Sequence, residues 1–298
     1  MASITQILAP LRAHGGHCRT PGLDDAALAR FAEDAGLQQA AVNAVEAYLR
    51  IREEFSDLLD LDEDAQIQAV QAGFVNFYPV DGVNPYVALA AHGPWIITLK
   101  GAVIHDSGGY GMLGLGHTPE AVLDAMARPQ TMANIMTPSL AQLRFERAVR
   151  AEIGHTRGGC PFAAFLCLNS GSESVGLAAR IADINTKLQT DPGARHAGAT
   201  VKRIVVKGSF HGRTERPALY SDSTRKTYLQ HLASFRGEDS LIAVEPYDAA
   251  ALEQVFADAA ANGWFIEAVF LEPVMGEGDP GRAPVSYTHL RAHETEAD

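Results

Sequence analysis

The sequence has no long apolar run and no basic run longer than two residues. No stretch approaches the ~18 consecutive apolar residues that a membrane-spanning helix needs. Lys and Arg number 24 against 36 Asp and Glu, which gives a formal net charge of −12. Nucleic-acid-binding surfaces are built from clustered Lys and Arg, so we expect no nucleic acid as a partner. Because no apolar run is long enough to span a membrane, we expect no membrane as a partner either.

Cysteine is also scarce, and the chain contains only Cys18, Cys160 and Cys167. Such an odd and sparse set argues against a disulfide framework and favours a cytoplasmic location. His14 and His17 lie close to Cys18, but no second pair of ligands follows at zinc spacing, so no metal site is predicted. The first 23 residues contain no acid, which leaves an organelle transit segment as an alternative to a plain N-terminal helix.

The N-terminal quarter has the pattern of packed helices. Residues 25–72 are rich in Ala and in acidic side chains and contain no Pro. Their apolar residues recur at helical spacing, as in Ala44, Tyr48 and Ile51. We therefore predict a helical N-terminal extension over residues 1–72.

After residue 72 the pattern changes to short apolar runs that alternate with helical segments. Residues 73–150 predict the N-terminal part of a small domain, with short strands and connecting helices. Residues 151–284 predict a large domain with a mostly parallel sheet, because strands and helices alternate there. Its apolar runs are residues 162–168, 203–206, 241–244 and 268–271.

The segment N-S-G-S-E-S, residues 169–174, follows the first of these runs and opens a helix. The free N–H groups in the first turn of a helix can hold an oxyanion. Gly171 would let a ligand approach the backbone, Ser172 adds a hydroxyl, and Glu173 could repel a phosphate unless it is turned away. An ordinary helix cap is the alternative interpretation.

Two more polar loops follow predicted strands. The segment G-S-F-H-G-R-T, residues 208–214, contains Phe210, which could stack on a flat heteroaromatic ring or be a buried loop aromatic. The segment L-E-P-V-M-G-E-G, residues 271–278, places Glu272 at the end of another strand, in a positional or a catalytic role. The carboxyl ends of parallel strands share one edge of a sheet, so the three loops together predict a site for a phosphorylated aromatic cofactor.

A glycine-rich segment, Gly109-x-Gly111-x-x-Gly114, matches the dinucleotide-binding fingerprint by letter. It lacks a clean preceding strand, a helix that begins among the glycines, and a later strand that ends in an acid. A tight loop beside a pocket is the better interpretation. A dinucleotide-binding oxidoreductase that uses this loop stays as an alternative function.

The motifs N-S-G-S-E, F-H-G-R-T and E-P-V-M-G-E-G, in this order and spacing, resemble the class III aminotransferases, which are pyridoxal-phosphate enzymes of fold type I. The segment L-G-L-G-H-T-P, residues 113–119, also resembles their G-H-x-x-P segment. The resemblance covers about residues 93–282. It implies a fold type I large domain with an incomplete, mostly parallel sheet, preceded by the helical N-terminal region.

The resemblance also implies roles around the cofactor, pyridoxal 5'-phosphate. Gly171 and Ser172 would hold its phosphate. Phe210 would stack on its pyridine ring, with His211 beside the ring. Glu272 would lie close to the cofactor.

The substrate side of the site follows from the same resemblance. Tyr110 and Glu277 match positions that line the family's substrate pocket. The implied reaction is the transfer of an amino group from an amino acid or amine to a 2-oxo acid, and the implied assembly is a homodimer. The sequence does not distinguish a transaminase from an aminomutase or a decarboxylase, and it does not identify the substrate.

The chain departs from the family after residue 284. The family's carboxylate that pairs with the pyridinium nitrogen and its Schiff-base lysine both come later in the sequence, so no catalytic residue is assigned and we expect an inactive fragment. Residues 285–298 do not continue the pattern and are interpreted as an artefactual tail. A non-catalytic α/β binding domain is a further alternative. The lysines present are Lys100, Lys187, Lys202, Lys207 and Lys226.

Overall fold

The computed structural model describes residues 2–75, 82, 84–107, 114–131, 133–134 and 136–282. The chain divides into two compact units, Met1–Ser139 and Leu140–Asp298. None of the described helices combines the length and the apolar content of a membrane span. The proposed tail at residues 285–298 lies outside the described residues.

The first unit combines helices with a small antiparallel sheet. Its strands run in the order β1-β2-β3. The helices are α1 (Ile4–Arg12), α2 (Asp25–Arg30), α3 (Ala35–Glu54), α4 (Ser56–Leu59), α5 (Glu63–Gln71) and α6 (Glu120–Ala127), and the strands are β1 (Ala88–His92), β2 (Trp95–Thr98) and β3 (Val103–His105).

Side-chain caps begin the first three helices. Ser3 and Gln6 form a reciprocal capping box at α1. Asp24 caps α2, and Asp34 caps α3 by accepting the N–H of Leu37. These local signals explain why the helical pattern of the N-terminal region was readable from the sequence.

The helices of the N-terminal region and the strands that follow them share one core. Leu8 from α1, Ala44 from α3, and Trp95 and Ile97 from β2 all belong to the same buried cluster. The indole Nε1 of Trp95 donates to Asp34 Oδ1 at 3.0 Å, so the cap of α3 also orients a residue of the sheet. The division between the compact units falls after Ser139.

The second unit contains the segments that form the predicted cofactor site. Its elements are α7 (Leu140–Gly154), α8 (Gly171–Thr190), β4 (Thr200–Val206), α9 (Glu215–Tyr220), α10 (Asp222–His231), a short 3-10 helix (Ala233–Phe235), β5 (Leu241–Val244), α11 (Ala249–Asn262) and β6 (Trp264–Phe270).

The strands of the second unit form a parallel sheet in the order β5-β4-β6. The central strand β4 pairs with both neighbours, and its residue Val205 lies opposite Ala243 and Phe270. Ile204 and Val205 are completely buried, as expected for a strand that is covered on both faces. The predicted α/β class with a mostly parallel sheet is confirmed for this unit.

The apolar run at residues 162–168 is an exception, because it forms no strand. The exposed fractions are 52% for Phe162 and 73% for Leu166. The side chain of Arg150 donates to the carbonyl oxygens of Phe162 and Ala163, each at 2.7 Å. A strand needs neighbours for its backbone groups, and no described strand pairs with this run. The sequence prediction of a strand here is therefore wrong for the described structure.

Candidate cofactor site

Close backbone approaches bring the three predicted loops together. Gly212 has φ = +118°, and a Cβ there would lie 2.5 Å from Ser172 Oγ, so the loop after β4 lies against the first turn of α8. A Cβ on Gly278 would overlap the carbonyl oxygen of Gly208, so the loop after β6 lies against the loop after β4. Residues 169–174, 208–214 and 271–278 therefore meet at one end of the second unit.

The start of α8 is capped by its own side chains. Ser170 Oγ accepts the N–H of Glu173 at 3.2 Å. In return, Glu173 Oε2 accepts the N–H groups of Asn169 and Ser170 at 2.8 and 3.0 Å. The alternative interpretation of this segment as a helix cap is thus correct for Ser170. The Glu173 carboxylate is bound by two backbone donors.

The cap leaves two donors of the first turn available. Within the described residues, no acceptor is recorded for the N–H groups of Gly171 and Ser172. A Cβ on Gly171 would meet no atom within 4 Å, so space is open beside this turn. Free N–H groups at the positive end of a helix fit a phosphate. The donor set is therefore compatible with the phosphate of pyridoxal phosphate.

Phe210 is half-buried and is fixed through its backbone. Its N–H donates to Glu272 Oε2 at 2.8 Å. The guanidinium carbon of Arg213 lies 5.2 Å from the centre of the Phe210 ring, and Arg213 also forms an ion pair with Glu277. Arg213 is a site residue that the sequence did not predict, although it stands in the motif F-H-G-R-T.

His211 follows Phe210 and points into a more enclosed environment. Its side chain is buried, and Nε2 has no hydrogen-bond partner among the described residues. Its backbone N–H donates to Ser221 Oγ at 2.9 Å, a contact that no sequence signal indicated. Burial lowers the pKa of His211, while the charge of Glu272 opposes this shift. A neutral imidazole is therefore favoured at neutral pH.

The two carboxylates of the loop after β6 have different environments. Glu272 is half-buried, and its Oε1 accepts the N–H of Gly276 at 3.0 Å. The Glu277 side chain is 43% exposed and bonds the guanidinium of Arg213. Glu272 therefore accepts hydrogen bonds from the backbone, whereas the carboxylate of Glu277 is accessible to solvent and to small molecules.

Tyr110 lies outside the described residues, as do Gly109 and Gly111. The strand before them, β3, belongs to an antiparallel sheet, and α6 begins only at Glu120. A dinucleotide site needs a parallel strand followed directly by a helix. The described part of this region does not have that arrangement. No metal-binding cluster of three or more His, Cys, Asp or Glu side chains is found among the described residues.

Comparisons with known proteins agree with the resemblance given by the motifs. The aminotransferase class-III family profile matches residues 77–293. No curated protein sequence matches the chain.

Similar folds occur in several solved aminotransferases. An ornithine aminotransferase from Toxoplasma gondii has 22% identity and a TM-score of 0.59, over 81% of this chain and 52% of its own. An aminotransferase from Vibrio fluvialis, solved in its PMP-bound form, has 17% identity and a TM-score of 0.55, over 78% and 54%. A transaminase from the marine bacterium Virgibacillus has 19% identity and a TM-score of 0.55, over 77% and 52%. This chain thus spans about half the length of these proteins and has the same fold over that half.

Proposed function

This chain belongs to the class III aminotransferases, and we propose that the protein containing it transfers an amino group from an amino acid or amine to a 2-oxo acid. Pyridoxal 5'-phosphate is the proposed cofactor. The observation that carries the proposal is the meeting of residues 169–174, 208–214 and 271–278, since these loops combine phosphate donors, an aromatic ring and carboxylates.

Five residues are proposed to surround the cofactor. The N–H groups of Gly171 and Ser172 bind the phosphate, and the ring of Phe210 stacks on the pyridine. The neutral side chain of His211 lies beside the ring, and Glu272 lies close to the cofactor. The bound cofactor supplies an electron sink for the bond that is broken in the substrate.

The substrate is proposed to meet the ion pair of Arg213 and Glu277, together with Tyr110. An amino acid carries both an ammonium and a carboxylate group, and the pair offers one partner of each charge. A carboxylate is held well by a guanidinium, which donates two parallel hydrogen bonds. Charge complementarity supports an amino acid or a 2-oxo acid as the ligand.

No lysine of this chain is assigned as the Schiff-base residue. Lys100 donates to the backbone carbonyls of Gly15 and Leu59 in the first unit. Lys187 lies on α8, Lys202 on β4 and Lys226 on α10, and Lys207 follows β4 directly. Three of these lysines form ion pairs with acids, namely Lys187 with Asp191, Lys202 with Asp239 and Lys207 with Glu245. We propose that the covalent attachment of the cofactor depends on a residue outside this chain.

A homodimer and a cytoplasmic location complete the proposal. The resemblance to a family of dimers supports the first, and the sparse cysteine content supports the second.

The phosphate site can be tested by adding a negative charge where there is room for it. Gly171→Asp places a carboxylate beside the first-turn N–H groups without a clash. We expect it to weaken binding of pyridoxal phosphate by about tenfold or more and to leave binding of unphosphorylated pyridoxal unchanged. Fluorescence titration of the 298-residue chain measures both affinities.

The matched control is Ala178→Asp, which adds the same charge to an exposed position further along α8. It should not change either affinity by more than about twofold. Equal losses for the phosphorylated and unphosphorylated ligands in Gly171→Asp would contradict the phosphate assignment.

A further inference from the structure

Glu272 binds two backbone amides at once. Its Oε2 accepts the N–H of Phe210 at 2.8 Å, and its Oε1 accepts the N–H of Gly276 at 3.0 Å. The two amides belong to different loops, one after β4 and one after β6. Each oxygen of the carboxylate thus has a donor from the protein itself, through a charge-assisted hydrogen bond.

The two loops that Glu272 joins also touch directly. Gly278 approaches the carbonyl oxygen of Gly208 so closely that no side chain fits between them. Phe210 and Arg213 lie in one loop, and Glu277 lies in the other. A shift of one loop against the other would therefore move Phe210 and Arg213 relative to Glu277.

The carboxylate at the end of β5, on the other side of the central strand β4, has no such role. The side chain of Glu245 is 57% exposed, and its recorded partner is the ammonium group of Lys207. It accepts no backbone N–H among the hydrogen bonds of the described residues. The bridge between two loops is a feature of Glu272 and not of strand-end carboxylates in general.

We propose that Glu272 is a positioning residue that fixes the ring of Phe210 and the pair of Arg213 and Glu277 in one geometry, and that it acts through the backbone. This inference deepens the proposed function, on which it rests for the role of the Phe210 ring. It also changes the role expected for Glu272 from a contact of the cofactor to a support of its contacts.

The test is amide hydrogen exchange of the 298-residue chain in the absence of cofactor. In Glu272→Ala, the amides of Phe210 and Gly276 should both exchange about tenfold faster or more. In Glu272→Gln, at least one of the two should accelerate, because the side-chain amide has one acceptor oxygen. The control Glu245→Gln should leave both unchanged.

The amides of β4 report whether each variant retains the sheet. If the β4 amides of Glu272→Ala lose their protection from exchange, the isosteric Glu272→Gln alone tests the positioning role of Glu272. The proposal is overturned if Glu272→Gln leaves both amides as in the wild type. It is also overturned if Glu272→Gln loses β4 protection, since the carboxylate would then support the sheet rather than the loops.

A separate titration distinguishes this inference from the proposed function. Pyridoxal phosphate is added to the wild-type chain, and its binding is followed by absorbance. Failure of the wild type to bind would count against the cofactor assignment while the exchange result still reports on Glu272. Binding combined with unchanged exchange in the Glu272 variants would count against the positioning role alone.

Discussion

At the scale of single residues, the site depends on positions that have no side chain. Gly212 lies so close to Ser172, and Gly278 so close to Gly208, that neither glycine has room for a methyl group. Gly212 also has a positive φ of 118°, which L-residues rarely adopt. The loops can therefore meet only while these two positions remain glycine.

Gly278→Ala should destabilise the second unit, because the added methyl overlaps the backbone of Gly208. We expect a loss of about 1–3 kcal/mol in the free energy of unfolding, measured in urea. The matched control is Gly176→Ala in α8, where the methyl would lie 3.9 Å from Pro217. That change should be neutral or should stabilise by up to about 1 kcal/mol. Equal effects of the two variants would refute the close approach.

At the scale of secondary-structure elements, local signals were read well from the sequence and long-range partners were not. The start of α8 was predictable, because the capping residues lie within four positions of one another. The run at residues 162–168 was predicted as a strand from its apolar character alone. A strand also requires neighbours, which a local pattern does not reveal. The pairing of Arg213 with Glu277 was missed for the same reason, since 64 positions separate them.

Arg150→Ala should release the segment that was predicted to be a strand. The guanidinium holds the carbonyls of Phe162 and Ala163 and lies 5.2 Å from the ring centre of Phe165. Chymotrypsin cleaves after such aromatic residues, so we expect cleavage after Phe162 and Phe165 to accelerate about threefold or more. Arg147→Ala, an exposed neighbour on α7, is the control. Cleavage at the wild-type rate in Arg150→Ala would show that these contacts do not restrain the segment.

At the scale of the whole molecule, the two compact units have different architectures. The first unit consists of helices and an antiparallel sheet, and the second consists of helices and a parallel sheet. The three loops of the proposed cofactor site all belong to the second unit. Family membership covers parts of both units, since the match runs over residues 77–293.

The chain as a whole should bind pyridoxal phosphate without forming a stable covalent adduct. Lys207 is the lysine nearest in sequence to the loop of Phe210, and its hydrogen bond to Glu245 raises its pKa. A raised pKa keeps the amine protonated to higher pH, and a protonated amine does not attack an aldehyde. Borohydride reduction followed by mass spectrometry should find no lysine modified in stoichiometric amount. A single fully labelled lysine would place the Schiff-base residue inside this chain.

The core shared by the N-terminal helices and the first sheet limits how the gene can be shortened. A clone that starts at residue 73 would keep β2 but would lose α1 and α3, which share its buried core. The indole of Trp95 would then have no carboxylate from Asp34, and the apolar face beneath it would meet water. The first 72 residues therefore cannot be removed like a leader, because the sheet that remains would expose apolar side chains that they bury in the intact chain.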